Sequence, residues 1–244
     1  MNTNLYKEGK IYIQNAASMI PTLALQPQPE EIILDMAASP GSKTTQIAMH
    51  MQNQGIIIAN DKSPKRLFKL IDNLKRQHVT NVKTSAMPGE FLWKRYPEYF
   101  DKVLIDAPCT MEGRFTTQDP DSYKDWSPRK IKELSNLQKW MLRSAISCTK
   151  VGGTIVYSTC ALSPEENEEV INWMLKKIGD AIQIEHIEIP RLQGSRGLTQ
   201  WKTKAYSPEL AKTLRIYPSA LMEGFFVAKI VKQASTINRD TMGI

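Results

Sequence analysis

The sequence predicts an α/β fold: a mostly parallel sheet with helices on both faces. Three observations carry this. Short apolar runs alternate with helical patterns along all 244 residues, as in repeated βαβ units. Four of the runs have nearly unbroken apolar cores, namely Ile32-Ile33-Leu34, Ile56-Ile57-Ile58-Ala59, Val103-Leu104-Ile105 and Thr154-Ile155-Val156-Tyr157. Central parallel strands, buried on both faces, have this look. The first of these runs leads into a turn of small residues, where open α/β sheets bind ligands.

Residues 1–28 read as a cap segment leading into the sheet. Strands are expected at 32–35, 56–60, 79–83, 102–106, 153–158, 182–187 and 225–231. A helix starts just after Pro40 and runs to about Met51. The next spans 64–77, with Ser63 as N-cap and Pro64 at the first helical position. A long amphipathic helix covers 131–150. Another covers 164–178, with Ser163 as N-cap and Glu166 placed for a capping box. The stretch 191–207 reads as an exposed basic loop. One domain therefore spans 1–232, and 233–244 is expected to be a disordered polar tail.

Lys and Arg number 32 against 25 Asp and Glu, a net charge of +7. That balance suits a polyanionic partner, although many soluble proteins are mildly basic. No apolar run approaches the roughly 20 residues of a membrane span, and residues 1–10 lack the apolar core of a signal peptide. A cytoplasmic protein with no membrane partner is expected. The three cysteines, Cys109, Cys148 and Cys160, are too few and too scattered for a disulfide framework. With His50, His78 and His186 also dispersed, no metal site is expected.

Residues 32–44 end a buried strand in Asp35 and pass through Met36-Ala37-Ala38-Ser39-Pro40-Gly41-Ser42-Lys43 into a helix. Small residues let a ligand approach the backbone, and a helix N-terminus offers N–H groups to an anion. A phosphate-binding P-loop is disfavoured, because Ala37 and Ser42 stand where its two glycines belong. Asp61, at the end of the second strand, is where such folds hold a ribose diol. A lone acid there could equally start a helix.

Cys109 follows Asp106-Ala107-Pro108 after the fourth expected strand, and Cys160 follows Tyr157-Ser158-Thr159 after the fifth. Both thiols lie just past carboxyl ends of strands placed in one sheet. Alone, either would be read as an inert buried cysteine. Together, beside an acid, they suit covalent chemistry on a pyrimidine. C5 of cytosine is a poor nucleophile, and a thiolate added to C6 makes it enamine-like. Such a thiol needs local help to ionise. Asp106 could meet the N3/N4 edge of the base, and Lys43 could add positive potential. Cys148, on a helical pattern, reads as core packing.

At these residues the chain resembles the Sun/Nop/Fmu family of RNA cytosine-5 methyltransferases, and most closely its bacterial branch acting on small-subunit ribosomal RNA. The matching segments are 12–19, 35–45, 59–66, 101–115, 152–170 and 223–228; the combination D-A-P-C, Y-S-T-C and E-E-N-E is highly specific. The resemblance implies a Rossmann-like class I methyltransferase fold with a seven-stranded sheet. It implies S-adenosylmethionine held by Ala37, Ala38, Ser39, Pro40, Gly41, Ser42, Lys43 and Arg66, with Asp61 on the ribose and Asp106 near the base. It implies Cys160 as nucleophile and Cys109 as the group that helps the adduct break down. RNA is the implied substrate, ribosomal RNA first and transfer RNA as the alternative, and a monomer is expected.

The chain departs from the family in places. Ser42 replaces the usual glycine before Lys43, and Gln14-Asn15 replaces Gln-Asp. Thr110-Met111 replaces a small residue and glycine, so Met111 is expected to crowd the loop beside the base. Pro88 stands where the family has an adenine-contacting acid, which leaves adenine to backbone or apolar contacts. Relatives also carry terminal RNA-binding segments. A compact member, a trimmed chain and a module relying on a partner or missing domain all stay open. Phosphate contacts are expected among Lys124, Arg129, Lys130, Arg191, Arg196, Lys202 and Lys204. A DNA or small-molecule substrate, and a non-catalytic RNA-binding assembly factor, are the remaining alternatives.

Overall fold

The structure is a computed structural model that describes residues 3–190, 192 and 194–237. The chain runs α1 (Asn4–Lys7), α2 (Ala16–Leu25), β1 (Ile32–Asp35), α3 (Ser42–His50), β2 (Ile56–Asn60), α4 (Pro64–Arg76), β3 (Val82–Ser85), β4 (Phe100–Asp106), α5 (Pro128–Cys148) and β5 (Thr149–Thr159). It continues through α6 (Glu168–Ile178), β6 (Ile182–Glu185), β7 (Ser195–Arg196), β8 (Gln200–Trp201), β9 (Lys204–Ala205), β10 (Leu214–Ile216) and β11 (Phe225–Lys232).

The main sheet has nine strands in the order β3-β2-β1-β4-β5-β11-β10-β7, with β6 also on β11. The first five are parallel, and β11 lies antiparallel on β5. The seven expected strands form its body, and β10 and β7 extend one edge. The expected α/β class is observed. Strand order reverses at β1, between β2 and β4, which opens a crevice beyond the carboxyl ends of β1 and β4.

Alternate residues of each central strand enter different cores. Leu34, Val103, Ile105 and Tyr157 pack with α5 and α6, whereas Ile33, Leu104 and Val156 pack with α2 and α3. Both faces are covered, so the strands read as unbroken apolar runs. A third small cluster joins Leu70 and Leu74 of α4 to Ala38 and Ala59.

Several boundaries differ from expectation. β3 starts at Val82, because the chain from Gln77 to Thr80 still finishes α4: Val79 N–H donates to Leu74 C=O at 3.0 Å and His78 takes φ 54°. α5 starts at Pro128, capped by Ser127 Oγ. α6 starts at Glu168, and Ser163 does not cap it. Ser163 instead donates both N–H and Oγ–H to Glu112, and Glu166 turns inward to Thr110 and Gln138. The capping box is therefore corrected, because these acids have stronger uses in tying loops together. α1, α2 (which contains Pro21) and β10 were not anticipated, nor were β7, β8 and β9, which fall in the segment 191–207 expected as a loop. The expected strand at 153–158 begins earlier, at Thr149. The tail beyond Ile237 and Arg191 lie outside the described residues. No described helix is long and apolar enough to cross a membrane.

Candidate active site

The crevice holds a cavity of about 530 Å³. Its walls come from the segment 12–18, the β1–α3 turn, the start of α4, Gly89-Glu90, the loop after β4, Cys160 and Glu223. Of the turn residues, Ala37, Ser39, Pro40, Ser42 and Lys43 line it. Ala38 and Gly41 do not. Ala38 packs under α4 and donates its N–H to Asn60 C=O at 2.7 Å. Gly41 is the N-cap of α3 at φ 106°, and a Cβ there would meet Leu70 Cδ1 at 2.7 Å. Its missing side chain is thus a packing and backbone requirement. No side chain caps α3, so its first-turn N–H groups have no side-chain partner.

Asp61 is buried at the cavity edge. Its Oδ1 accepts from Ser63 N–H at 3.0 Å, so it does help start α4. Its Oδ2, buried, accepts no hydrogen bond and has only the Arg66 guanidinium at 3.3 Å. Arg66 also donates to Ser39 C=O at 2.7 Å, bracing the turn against α4. A buried carboxylate oxygen with spare acceptor capacity suits a hydroxyl donor. Deeper in, Thr44 donates to Asp35 Oδ2 at 2.7 Å. Burial pushes the Asp35 carboxyl up to about 7; Asp106 adds to the rise, and the Thr44 bond opposes it.

Lys43 is almost fully buried and donates to Asp106 Oδ2 at 2.7 Å and Ser18 Oγ at 2.8 Å. Ser158 Oγ donates to Asp106 Oδ1 at 3.0 Å. The Asp106 carboxylate is thus oriented by two donors from different elements, while the residue lines the cavity.

The sulfurs of Cys109 and Cys160 are 3.3 Å apart, and both residues line the cavity. The hydrogen bond from the Cys109 thiol holds Cys160 below the ordinary thiol value, against the effect of burial, and Arg114 and Lys43 pull the same way. Cys109 is pushed well above it by that same bond, by burial and by the charge on Cys160, with Glu166 adding to the rise. Two thiols alone could exchange roles. Arg114 near Cys160 and Glu166 near Cys109 break the symmetry, placing the anion on Cys160.

The E-E-N-E motif turns out to be the frame of this pair. Glu166 bonds Thr110 and accepts from Gln138 at 2.8 Å, and Gln138 also donates to Pro108 C=O. Asn167 bonds Thr159 Oγ1 at 2.6 Å and Ala161 C=O at 3.0 Å, clasping the turn that bears Cys160. Glu168 receives two bonds from Arg215, each 2.6 Å. Between the loops, Gly113 N–H donates to Cys160 C=O at 2.8 Å and Gly224 N–H to Gly113 C=O at 2.9 Å. A Cβ on Gly113 would sit 2.1 Å from Gly224 O.

Met111 takes a left-handed φ of 60°, where the resemblance expects glycine, and its half-exposed side chain borders the cavity as anticipated. Pro88 does not line the cavity, but Gly89 and Glu90 do. Glu90, Arg114, Asn15 and Glu223 also line the cavity and were not singled out in the sequence. For Asn15, Arg114 and Glu223 the signal was present, since all three lie in segments that match the family. Cys148 is buried in the core as expected. No group of metal-ligating side chains occurs among the described residues.

Of the expected phosphate contacts, Lys124 pairs with Asp121, Arg129 with Glu133, Lys202 with Glu165 and Lys204 with Glu169. Lys130 sits in the first turn of α5, and Arg196 is exposed on β7. None of them lines this cavity.

A family model described as 16S rRNA methyltransferase RsmB/F matches residues 22–231. The chain is 44% identical over 228 residues to a tRNA (cytosine(49)-C(5))-methyltransferase of Pyrococcus abyssi, covering 93% of this chain and 72% of that protein. It is 40% identical over 238 residues to the ribosomal RNA small subunit methyltransferase F of Aliivibrio fischeri, covering 96% of this chain and 48% of the relative. It therefore spans about half the length of that ribosomal relative. Among solved structures, NSun6 from Pyrococcus horikoshii with SFG superposes with a TM-score of 0.82 at 36% identity, covering 96% of this chain and 56% of that one. A methyltransferase homolog protein from the same organism gives 0.80 at 38% identity, covering 94% and 70%.

Proposed function

The chain belongs to the RsmB/F (Sun/Nop/Fmu) family of RNA methyltransferases, and on that premise we propose that it methylates C5 of a cytosine in RNA through a covalent bond from Cys160. The observation that carries this reading is the pair of sulfurs at 3.3 Å, one polarised toward thiolate, on the wall of the cavity that Asp106 enters.

The cavity fits S-adenosylmethionine. Its edge offers Asp61 Oδ2, a buried acceptor with no hydrogen bond, for a ribose hydroxyl. The uncapped start of α3 and the small residues Ala37 and Ser39 leave backbone open beside it. The NSun6 neighbour was solved with SFG, an analogue of this molecule. When bound, S-adenosylmethionine supplies an electrophilic methyl group to C5 of the target ring.

Cys160 performs the step that makes C5 receptive. Its sulfur forms a bond to C6, and the C5=C6 electron pair moves onto C5 and the conjugated N3–C4 unit. Asp106, held by Lys43 and Ser158, accepts from the exocyclic amino group and keeps the ring oriented. Adduct formation turns Cys160 into a neutral thioether. The bond and the charge that had raised Cys109 vanish with it, so Cys109 can release its proton to solvent and, as a thiolate, take the C5 proton. The C–H electron pair re-forms C5=C6, and the C–S bond breaks to return Cys160 as thiolate.

RNA carrying 5-fluorocytosine at the target tests this, since fluorine cannot leave as a proton does. The wild type should form a denaturation-resistant adduct, which Cys160→Ala should abolish. With ordinary RNA, Cys109→Ala should accumulate the adduct. An adduct that survives loss of Cys160 but not of Cys109 would reverse the assignment.

A further inference from the structure

A second groove, of about 1020 Å³, draws lining residues from the same two loops as the catalytic cavity. Met111 lines the cavity, and Glu112, the next residue, lines the groove. Cys160 lines the cavity, while Leu162 and Ser163 line the groove. The loop after β4 and the loop after β5 thus contribute residues to both spaces. The groove is joined to the site mechanically as well. Glu112 accepts from Leu162 N–H at 2.9 Å, Ser163 N–H at 2.6 Å and Trp126 Nε1 at 2.7 Å.

Its lining combines aromatic rings with cations. Tyr123 and Trp126 are each 43% exposed, and Trp201 is half-buried. Both indole N–H groups are already used, Trp126 on Glu112 and Trp201 on Glu165 at 3.1 Å. The rings are anchored by their polar edges and offer apolar surface to the groove. Lys202 and Lys204 neutralise Glu165 and Glu169. Lys132 and Lys139, on the groove-facing side of α5, make no ion pair among the described residues. Rings for stacking beside unmatched ammonium groups form the chemistry that holds single-stranded nucleic acid. A purely apolar partner would leave those charges buried and uncompensated.

Building on the RNA cytosine reading, we infer that this groove seats a nucleotide flanking the target cytosine, its base against Trp126 and Tyr123 and its phosphates near Lys132 and Lys139. The target base must leave its stack to reach the thiols. A flanking base held in this groove would keep the strand splayed.

The test measures equilibrium binding of a single-stranded RNA of about 12 cytidines and uridines, against an abasic ribose-phosphate chain of equal length. The wild type should prefer the base-bearing strand. Trp126→Ala with Tyr123→Ala should bind it about 5- to 100-fold more weakly and lose the preference. Trp126→Phe, which keeps a ring but not the bond to Glu112, should retain it; if the preference were lost there, the role would be structural. Lys132→Gln with Lys139→Gln should lower the slope of log affinity against log salt by about 1.4. Unchanged RNA affinity in all these variants overturns the inference, whether the groove then takes a protein segment or nothing. Failure of the underlying reading looks different: the wild type itself would then transfer no methyl group to RNA.

Discussion

At the scale of single residues, the question is which sulfur carries the charge. A hydrogen bond between two identical thiols has no built-in direction; the neighbours supply it. The Cys109 bond contributes most to the lowering at Cys160, and Arg114 follows. A depressed thiol is reactive above its own pKa and loses reactivity as pH falls through it. Alkylation of Cys160, followed by mass spectrometry in a Cys109→Ser background that keeps a donor, should therefore reach half its rate below the free-thiol value of 9.0. Arg114→Gln removes a favourable charge, so that midpoint should rise. A midpoint that stays put would remove Arg114 from the activation of Cys160. The positions of both cysteines were legible in the sequence, since a residue just past a buried strand must face the crevice. Their 3.3 Å separation was not, because it depends on how two loops dock. Arg114 lies in a segment that matches the family, but its approach to Cys160 depends on a short turn with no repeat or periodicity of its own.

At the scale of elements, the loops are held by buried polar groups rather than by apolar packing. Glu166, Asn167 and Glu168 are consecutive, and each is fully buried with a different task. The sequence showed the helix that follows them, whose apolar spacing is strong, but it misplaced the start. A Ser-Pro-x-Glu pattern satisfies the rule for a capping box. Here the acids instead meet donors from distant segments, Gln138 and Arg215, that local spacing cannot reveal. The Glu168–Arg215 pair joins α6 to β10, and Arg215 also donates to Leu162 C=O at 2.9 Å. Both side chains are almost wholly shielded. Arg215→Met leaves a buried carboxylate without its cation, and urea unfolding should show a loss of about 3–5 kcal/mol. Adding Glu168→Met should recover much of that loss, because it removes the stranded charge. If the double variant were no better than the single, desolvation of Glu168 would not be the origin of the cost.

At the scale of the whole molecule, the cavity is assembled from both ends of the sequence. Asn15 Oδ1 caps α2 by accepting from Ala17 N–H at 2.9 Å, and also accepts from Glu223 N–H at 3.2 Å. The segment before β1 and the loop before β11 are thereby drawn over the crevice at which strand order reverses. The sheet and that crevice were readable from apolar runs, because burial on both faces leaves an unbroken pattern. The roof was not, since α2 carries an internal proline and shares its apolar residues among several partners. A ligand held between such a roof and floor stabilises the folded state by mass action. S-adenosylmethionine at 100 times its Kd should add about 2.7 kcal/mol. For a chain of this size, that corresponds to a rise in Tm of about 5–10 °C. Asp61→Asn isolates the proposed ribose contact within that total. The amide oxygen can still accept from Ser63 N–H, so the start of α4 is preserved, but an amide nitrogen cannot accept from a hydroxyl. At the same S-adenosylmethionine concentration, thermal melts of Asp61→Asn should show a much smaller rise over its own ligand-free value. Equal rises in the two proteins would mean that the spare oxygen of Asp61 does not face the ribose, and that the cofactor is held elsewhere in the cavity.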